Sequence, residues 1–143
     1  MTETLYFDAS AFGRVHEPGP DQRWVAEALR AGEVTISLLT TVEVRSVVNT
    51  KIRQGMPLAA AELLWQSLGL AVRATKVVEL EAEDFDAARE LLEHEVELRA
   101  GDALQLAVAR RIEAHGVGVT LVTADRRQAS VAQRLLDGVR LLE

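Results

Sequence analysis

The sequence predicts an α/β fold, a mostly parallel sheet flanked by helices on both faces, in one domain over residues 1–143. Three observations predict it. Short runs rich in β-branched or aromatic residues alternate with longer stretches whose apolar residues recur at helical spacing. No internal repeat, low-complexity tract or linker interrupts that alternation. The length, 143 residues, lies within the roughly 100–200 of one domain with its own core.

The elements follow in order. Leu5-Tyr6-Phe7 reads as a short buried strand, and Gly13 to Pro20, with Pro18-Gly19-Pro20, as a loop. Asp21 is placed to cap a helix to Arg30, with Trp24, Val25, Ala28 and Leu29 inward, closed at Ala31-Gly32. Val34 to Leu38 is a second strand. A helix over Thr41–Arg53 follows, with Val44, Val47, Val48 and Ile52 on one stripe. Gly55 and Pro57 punctuate the chain, and Pro57 suits the first turn of a helix over Leu58–Leu68 carrying Leu64, Trp65 and Leu68. Val77-Val78 is a third strand. Ala82–Leu92 is a helix with Phe85, Ala88, Leu91 and Leu92 inward and acids outward. Asp102–Ala114 is another helix, closed by Gly116; Val117–Val122 is a strand and Arg126–Leu136 a helix.

Composition excludes several chemistries. The chain has no cysteine, which removes disulfides, zinc–thiolate sites, iron–sulfur clusters and thiol nucleophiles, and fits a reducing cytoplasm. No run approaches the ~18 uncharged apolar residues of a membrane span, and no basic segment precedes a long apolar one as in a signal peptide. P-loop, Gly-x-Gly-x-x-Gly and Gly-x-Ser-x-Gly motifs are missing. The net charge is −6, but nine of the 22 acids lie in Glu79–Glu97, and the remainder of the chain is +2. That remainder does not oppose an anionic partner. The acidic stretch reads as one solvated helix face, or alternatively as a surface that attracts basic residues of a partner.

The residues that carry chemistry stand just past the predicted strands. Asp8 follows the first strand, Glu43 lies near the start of the helix after the second, and Asp125 follows the last strand by two residues. Asp102 opens a helix. In a parallel sheet, the strand-end acids converge on one edge, where such folds bind ligands. Each acid also has a plain structural explanation. Thr40 and Glu43 have capping-box spacing, Asp125 and Asp102 sit where N-caps sit, and Asp8 is placed to hold the Ala9-Ser10 turn. Taken as a set they are harder to dismiss, because two like charges at 4 Å repel by about 4 kcal/mol at an effective dielectric near 20. A hard divalent cation with oxygen ligands, Mg²⁺ or Mn²⁺, is the usual reason for such a cluster.

Four segments, Leu5-Tyr6-Phe7-Asp8-Ala9-Ser10-Ala11, Thr41-Val42-Glu43-Val44, Gly101-Asp102-Ala103-Leu104-Gln105-Leu106-Ala107 and Val122-Thr123-Ala124-Asp125-Arg126-Arg127, together resemble the signature blocks of PIN-domain nucleases, in order and spacing. The size resembles the VapC-type toxins of that superfamily. The resemblance implies a PIN-like three-layer sandwich and Mg²⁺- or Mn²⁺-dependent endonucleolytic cleavage of RNA. It places catalytic and metal-holding roles on Asp8, Glu43, Asp102 and Asp125. It further implies a cytoplasmic homodimer inhibited by a small cognate antitoxin. Two positions depart from the pattern: Arg14 stands where many relatives have lysine, and Gln105 where many have histidine.

Ser10 and Thr123 are then expected to support the carboxylates, and Arg14 and Arg126, with Arg127 beside it, to guide phosphate. His16, His94 and His115 are too scattered for a shared metal site, and Trp24 and Trp65 read as core or interface. A receiver domain needs an acidic pair near the first strand and a lysine after a late one, and a haloacid-dehalogenase-type phosphatase needs Asp-x-Asp; neither pattern is present. The remaining alternative is a catalytically inactive PIN-like module that binds protein or RNA.

Overall fold

The computed structural model describes residues 3–143. In chain order the elements are β1 (Glu3–Phe7), α1 (Ala9–Gly13), α2 (Gln22–Arg30), β2 (Val34–Ser37), α3 (Leu38–Arg53), α4 (Leu58–Arg73), β3 (Lys76–Val78), α5 (Ala82–His94), α6 (Ala100–Ala114), β4 (Gly118–Thr123), α7 (Arg126–Leu135) and β5 (Gly138–Leu141). The strands form one sheet in the order β3-β2-β1-β4-β5. Every pairing is parallel, with Tyr6 beside Thr35 on one side and Leu121 on the other.

Side chains on a strand alternate between faces, and here both faces are covered. Tyr6 and Leu121 enter an apolar layer with Ala88, Leu91, Leu106 and Val131 of α5, α6 and α7. Their neighbours Phe7 and Val122 enter the opposite layer with Phe12, Val25, Val44, Val48 and Leu68 of α1 to α4. The result is the three-layer α/β sandwich that all-parallel sheets require. Among the described residues no helix is long and apolar enough to cross a membrane.

Several elements differ from the sequence-based expectation. Residues Ala9–Gly13 form a helix too short to leave a periodic signal. α3 begins at Leu38, directly after β2, with Ser37 at its N-cap position. Thr40 and Glu43 therefore form no capping box: Thr40 is buried inside the helix and its hydroxyl accepts from Gln105. Asp21 holds the N-cap position of α2 without capping it. Its carboxylate instead accepts from Arg140 and from the backbone N–H of Glu143, because β5 returns the chain to that point. α4 continues through Gly69 to Arg73. In α5 the inward stripe is Asp84, Ala88 and Leu91, while Phe85 is 47% exposed. Arg111 explains that rotation, since its guanidinium meets Asp84 through two hydrogen bonds and gives the buried carboxylate a partner. The acidic stretch is thus not wholly a solvated face.

β5 was not anticipated. It is a short, half-exposed edge strand without a continuous apolar run. Gly138 opposes Thr120 so closely that a Cβ there would fall 2.6 Å from Thr120 Oγ1. The strand is fixed by Leu142, which is buried and whose N–H donates to the Thr123 carbonyl at 2.8 Å. Trp24 stacks on Phe7 with ring centroids 6.4 Å apart and carries the Arg140 guanidinium on its ring, in keeping with a core position.

Candidate functional site

The sheet has a topological switch between β1 and β4: from β1 the chain winds outward to β2 and β3, and afterwards returns to the other side for β4 and β5. Open parallel sheets bind ligands at the carboxyl ends of strands flanking such a switch. Asp8 follows β1 and Asp125 follows β4, so they flank this crevice. A cavity of about 320 Å³ opens there, lined by Asp8, Ser10, Glu43, Asp102 and Asp125, with Arg99, Gln105, Ser46 and Thr50 completing its wall. The four acids predicted from sequence therefore share one cavity. They come from four different elements or their ends, and only tertiary folding collects them.

Asp8 is the most enclosed of the four, at 5% exposure. It caps α1 by accepting from Ala11 N–H. One carboxylate oxygen also accepts from Ser10 Oγ at 2.6 Å and the other from Thr123 Oγ1 at 2.5 Å. Both hydroxyls are oriented by the backbone: Ala124 N–H donates to Ser10 Oγ and Asp125 N–H to Thr123 Oγ1. Each hydroxyl proton is thereby directed at Asp8. Burial pushes the Asp8 carboxyl up to about 6 against these three hydrogen bonds, and the Glu43 charge pushes the same way.

Glu43 is held by Gln105, whose Nε2 donates to Glu43 Oε1 at 2.5 Å and to Thr40 Oγ1 at 2.8 Å. Gln105 Oε1 accepts from Tyr6 Oη at 2.5 Å and Ser37 Oγ at 3.0 Å. Tyr6, Ser37 and Gln105 are all buried, so this network joins β1, β2, α3 and α6 beneath the cavity. Glu43 Oε2 lies against Gly101, where a Cβ would come within 2.9 Å of it. Only glycine leaves the carboxylate this position. Burial raises Glu43, and the charge of Asp102 raises it further.

Asp102 accepts the Arg99 N–H and so caps the start of α6. Asp125 accepts from the backbone N–H of Arg127 and Gln128 at the start of α7. Asp102 is raised chiefly by burial and then by the charge of Asp125, while Arg99 and Arg127 oppose this. The acids thus sense one another in sequence: Asp8 feels Glu43, Glu43 feels Asp102, and Asp102 feels Asp125.

Capping and clustering coexist here. Each of Glu43, Asp102 and Asp125 commits one oxygen to a hydrogen bond and leaves the other without one among the described residues. As the side chains stand, no group of three or more His, Cys, Asp or Glu among the described residues is close enough to hold one metal ion. The donor set is nonetheless all oxygen and mostly carboxylate, which suits Mg²⁺ or Mn²⁺ and not a softer metal.

The predicted cations are placed unequally. Arg14 lines an adjoining cavity and pairs with Glu17 at 2.6 Å. Arg126 is exposed at the first residue of α7 and is not part of the acid cavity wall. Arg99 lines the acid cavity and was not anticipated, since an arginine three residues before Asp102 carries no distinctive pattern. Ser46 and Thr50 had a legible signal: with Glu43 they sit at i, i+3 and i+7 on α3, one helix face.

The PIN domain family model matches residues 5–134. Three solved structures share the fold at low identity. A protein from Pyrobaculum aerophilum, PAE2754, is 21% identical with a TM-score of 0.72, covering 98% of this chain and 90% of its own. A toxin–antitoxin complex from Klebsiella pneumoniae is 19% identical with a TM-score of 0.61, covering 96% of each chain. Mycobacterium tuberculosis VapC20, a sarcin–ricin loop cleaving toxin, is 20% identical with a TM-score of 0.62, covering 90% of this chain and 95% of its own. No curated protein matches the sequence significantly.

Proposed function

The chain belongs to the PIN domain family, and from that premise we propose that it is an endoribonuclease dependent on Mg²⁺ or Mn²⁺, acting as a VapC-type toxin restrained by a cognate antitoxin. The observation that carries this is the convergence of Asp8, Glu43, Asp102 and Asp125 on one cavity at the β1/β4 switch.

Asp8, Asp102 and Asp125 would hold the cation, with Glu43 completing the set or orienting the attacking water. A bound divalent cation supplies Lewis acidity, which makes water a better nucleophile and offsets charge gathering on the scissile phosphate. The chain's own residues do the rest. Ser10 and Thr123 fix both oxygens of Asp8, and Gln105 fixes Glu43, so little reorganisation is needed when substrate enters. Arg99 at the cavity wall, with Arg14 in the adjoining cavity and the exposed Arg126 at the start of α7, supplies positive charge for the RNA backbone.

An acidic cavity also suits an inserted arginine or lysine from an antitoxin. Beside it, an apolar pocket of about 120 Å³ lined by Phe12, Val44, Leu64 and Leu68 offers contact for an apolar segment of the same partner. Self-association is supported by Leu63 and Leu70, seven residues apart on α4 and 68% and 65% exposed.

The decisive experiment is incubation of the purified chain with total RNA and Mg²⁺ or Mn²⁺ beside Asp8→Asn and Asp125→Asn. Cleavage that both variants abolish is expected; cleavage that survives both rejects this site. The rival reading, a PIN-like binding module without catalysis, is favoured by the separation of the acids noted above. Saturable Mn²⁺ binding that Asp8→Asn removes decides for the nuclease, and no binding at millimolar Mn²⁺ decides for the module.

A further inference from the structure

We propose that Arg14 and Lys51 form a phosphate-binding subsite for the RNA backbone beside the acid cavity, and that Glu17 masks this subsite until RNA displaces it. The inference rests on the ribonuclease reading and adds to it a second point of contact along the strand.

The cavity beyond Ser10, about 340 Å³, shares Ala9, Ser10, Val47 and Thr50 with the acid cavity, so the two form one continuous depression. Its charged lining is Arg14, Lys51 and Glu17. Arg14 Nη1 donates to Glu17 Oε2 at 2.6 Å, and Lys51 Nζ donates to Oε1 of the same carboxylate at 3.4 Å. One anion thus serves two cations from different elements, which leaves one positive charge unneutralised at the rim.

The match is incomplete in a telling way. Arg14 Nε is buried and has no hydrogen-bond partner, the one such side-chain atom among the described residues. Glu17 engages the guanidinium through Nη1 alone and leaves part of its fork idle. A phosphate has more acceptor oxygens than a carboxylate, and can take the Nη groups of Arg14 while another oxygen faces Lys51. Glu17 is 45% exposed, and ion pairs so open to water contribute little to stability. It can rotate into solvent at small cost when a better anion arrives. Repulsion from the neighbouring acids disfavours a lone anion here. A strand that presents successive phosphates, one of them at the acid cavity with its cation, is the ligand that fits both halves.

The test is fluorescence anisotropy with a labelled single-stranded RNA in Ca²⁺, at one fixed concentration in place of Mg²⁺ or Mn²⁺ and with the RNA shown intact on a gel, over a series of monovalent salt concentrations. Arg14→Met and Lys51→Met are expected to weaken binding, each flattening the slope of log K against log[salt] by about 0.7, the single-strand value per charge. Glu17→Gln is expected to tighten binding and steepen the slope, and to lose that effect in the Arg14→Met/Lys51→Met background. Arg30→Met, exposed on α2, is the bulk-charge control and is expected to change neither. Binding unchanged or weakened by Glu17→Gln, or an equal loss in Arg30→Met, overturns the proposal. Cleavage with Mn²⁺, scored separately beside Asp8→Asn, keeps the two readings apart. RNA cleavage without these binding changes rejects the subsite alone, and the binding changes without cleavage reject the nuclease while the subsite stands.

Discussion

Gln105 Nε2 stands 2.5 Å from Glu43 Oε1, and the amide that holds Glu43 is itself held by Thr40, Tyr6 and Ser37. Every strong donor and acceptor position of a buried side chain is therefore filled, which makes the network rigid and makes its loss expensive. Gln105→Leu strands four partners. It is expected to lower the unfolding free energy by about 2–4 kcal/mol, since each buried polar group left unpaired costs about 1–3 kcal/mol and some regain water. Gln105→His keeps a donor and an acceptor and is expected to lose less. Urea unfolding of the three proteins checks this, and equal midpoints for Gln105→Leu and the parent chain refute it.

Gly101 separates stability from site geometry. It is the second residue of α6, in the first turn, where alanine is favoured over glycine by less than the roughly 1 kcal/mol of a helix interior. Its Cβ, however, would meet Glu43 Oε2 at 2.9 Å. Gly101→Ala is expected to keep or raise the melting temperature while displacing the Glu43 carboxylate and reducing RNA cleavage at least tenfold. A variant that is both stable and fully active shows that the Glu43 position is unimportant.

The pH dependence of stability has a definite sign. Asp8 is raised from 3.8 to about 6 by burial. Between those values the folded protein keeps a proton that the unfolded chain has released. Stability without divalent cation is therefore expected to fall as pH rises from about 4 to about 6 and to stay lower above that, by roughly 3 kcal/mol from this group. Glu43 and Asp102 are raised as well and act in the same direction. Asp8→Asn has no proton to lose there, so its stability relative to the parent chain should improve between pH 4 and pH 7. Unfolding curves in EDTA at both pH values measure the difference, and a pH-independent difference contradicts the assignment.

Away from the cavity, Arg111 Nε donates to Asp84 Oδ1 at 2.9 Å and Nη2 to Oδ2 at 3.1 Å, with Asp84 1% exposed. Arg111→Met leaves a buried carboxylate without its counter-charge, with the Glu81 N–H still donating to it, and is expected to cost about 3–5 kcal/mol. Asp84→Leu in the same chain should recover much of that loss, because the uncompensated charge is then gone. Thermal unfolding of the single and double variants tests the pair, and a double variant no more stable than Arg111→Met sinks the explanation.

The architecture was legible in the sequence because it follows from local rules: β-branched and aromatic runs make strands, apolar residues at helical spacing make helices, and their alternation makes a parallel sheet with two covered faces. The three principal strands and the longer helices were readable on these grounds. So was the set Asp8, Glu43, Asp102 and Asp125, because each stands by a strand end or a helix start. Elements without such a signal were not legible. α1 is one turn long, and β5 is a half-exposed edge strand whose place depends on Leu142 reaching the core and on the Thr123 carbonyl waiting for its N–H. The rotation of α5 depended on Arg111, which lies 27 residues from Asp84 in the chain.

The fold class and the positions of four acids beside strand ends and helix starts were therefore readable from the chain, since periodicity and position relative to strands are properties of short segments. Ser10 and Thr123 were expected beside the carboxylates, and the fold aims both hydroxyls at Asp8; Gln105 beneath Glu43 and Glu17 between Arg14 and Lys51 came from packing alone. Most of those contacts join residues tens of positions apart, and whether a side chain is buried, paired or free depends on which distant neighbour the packed core brings against it.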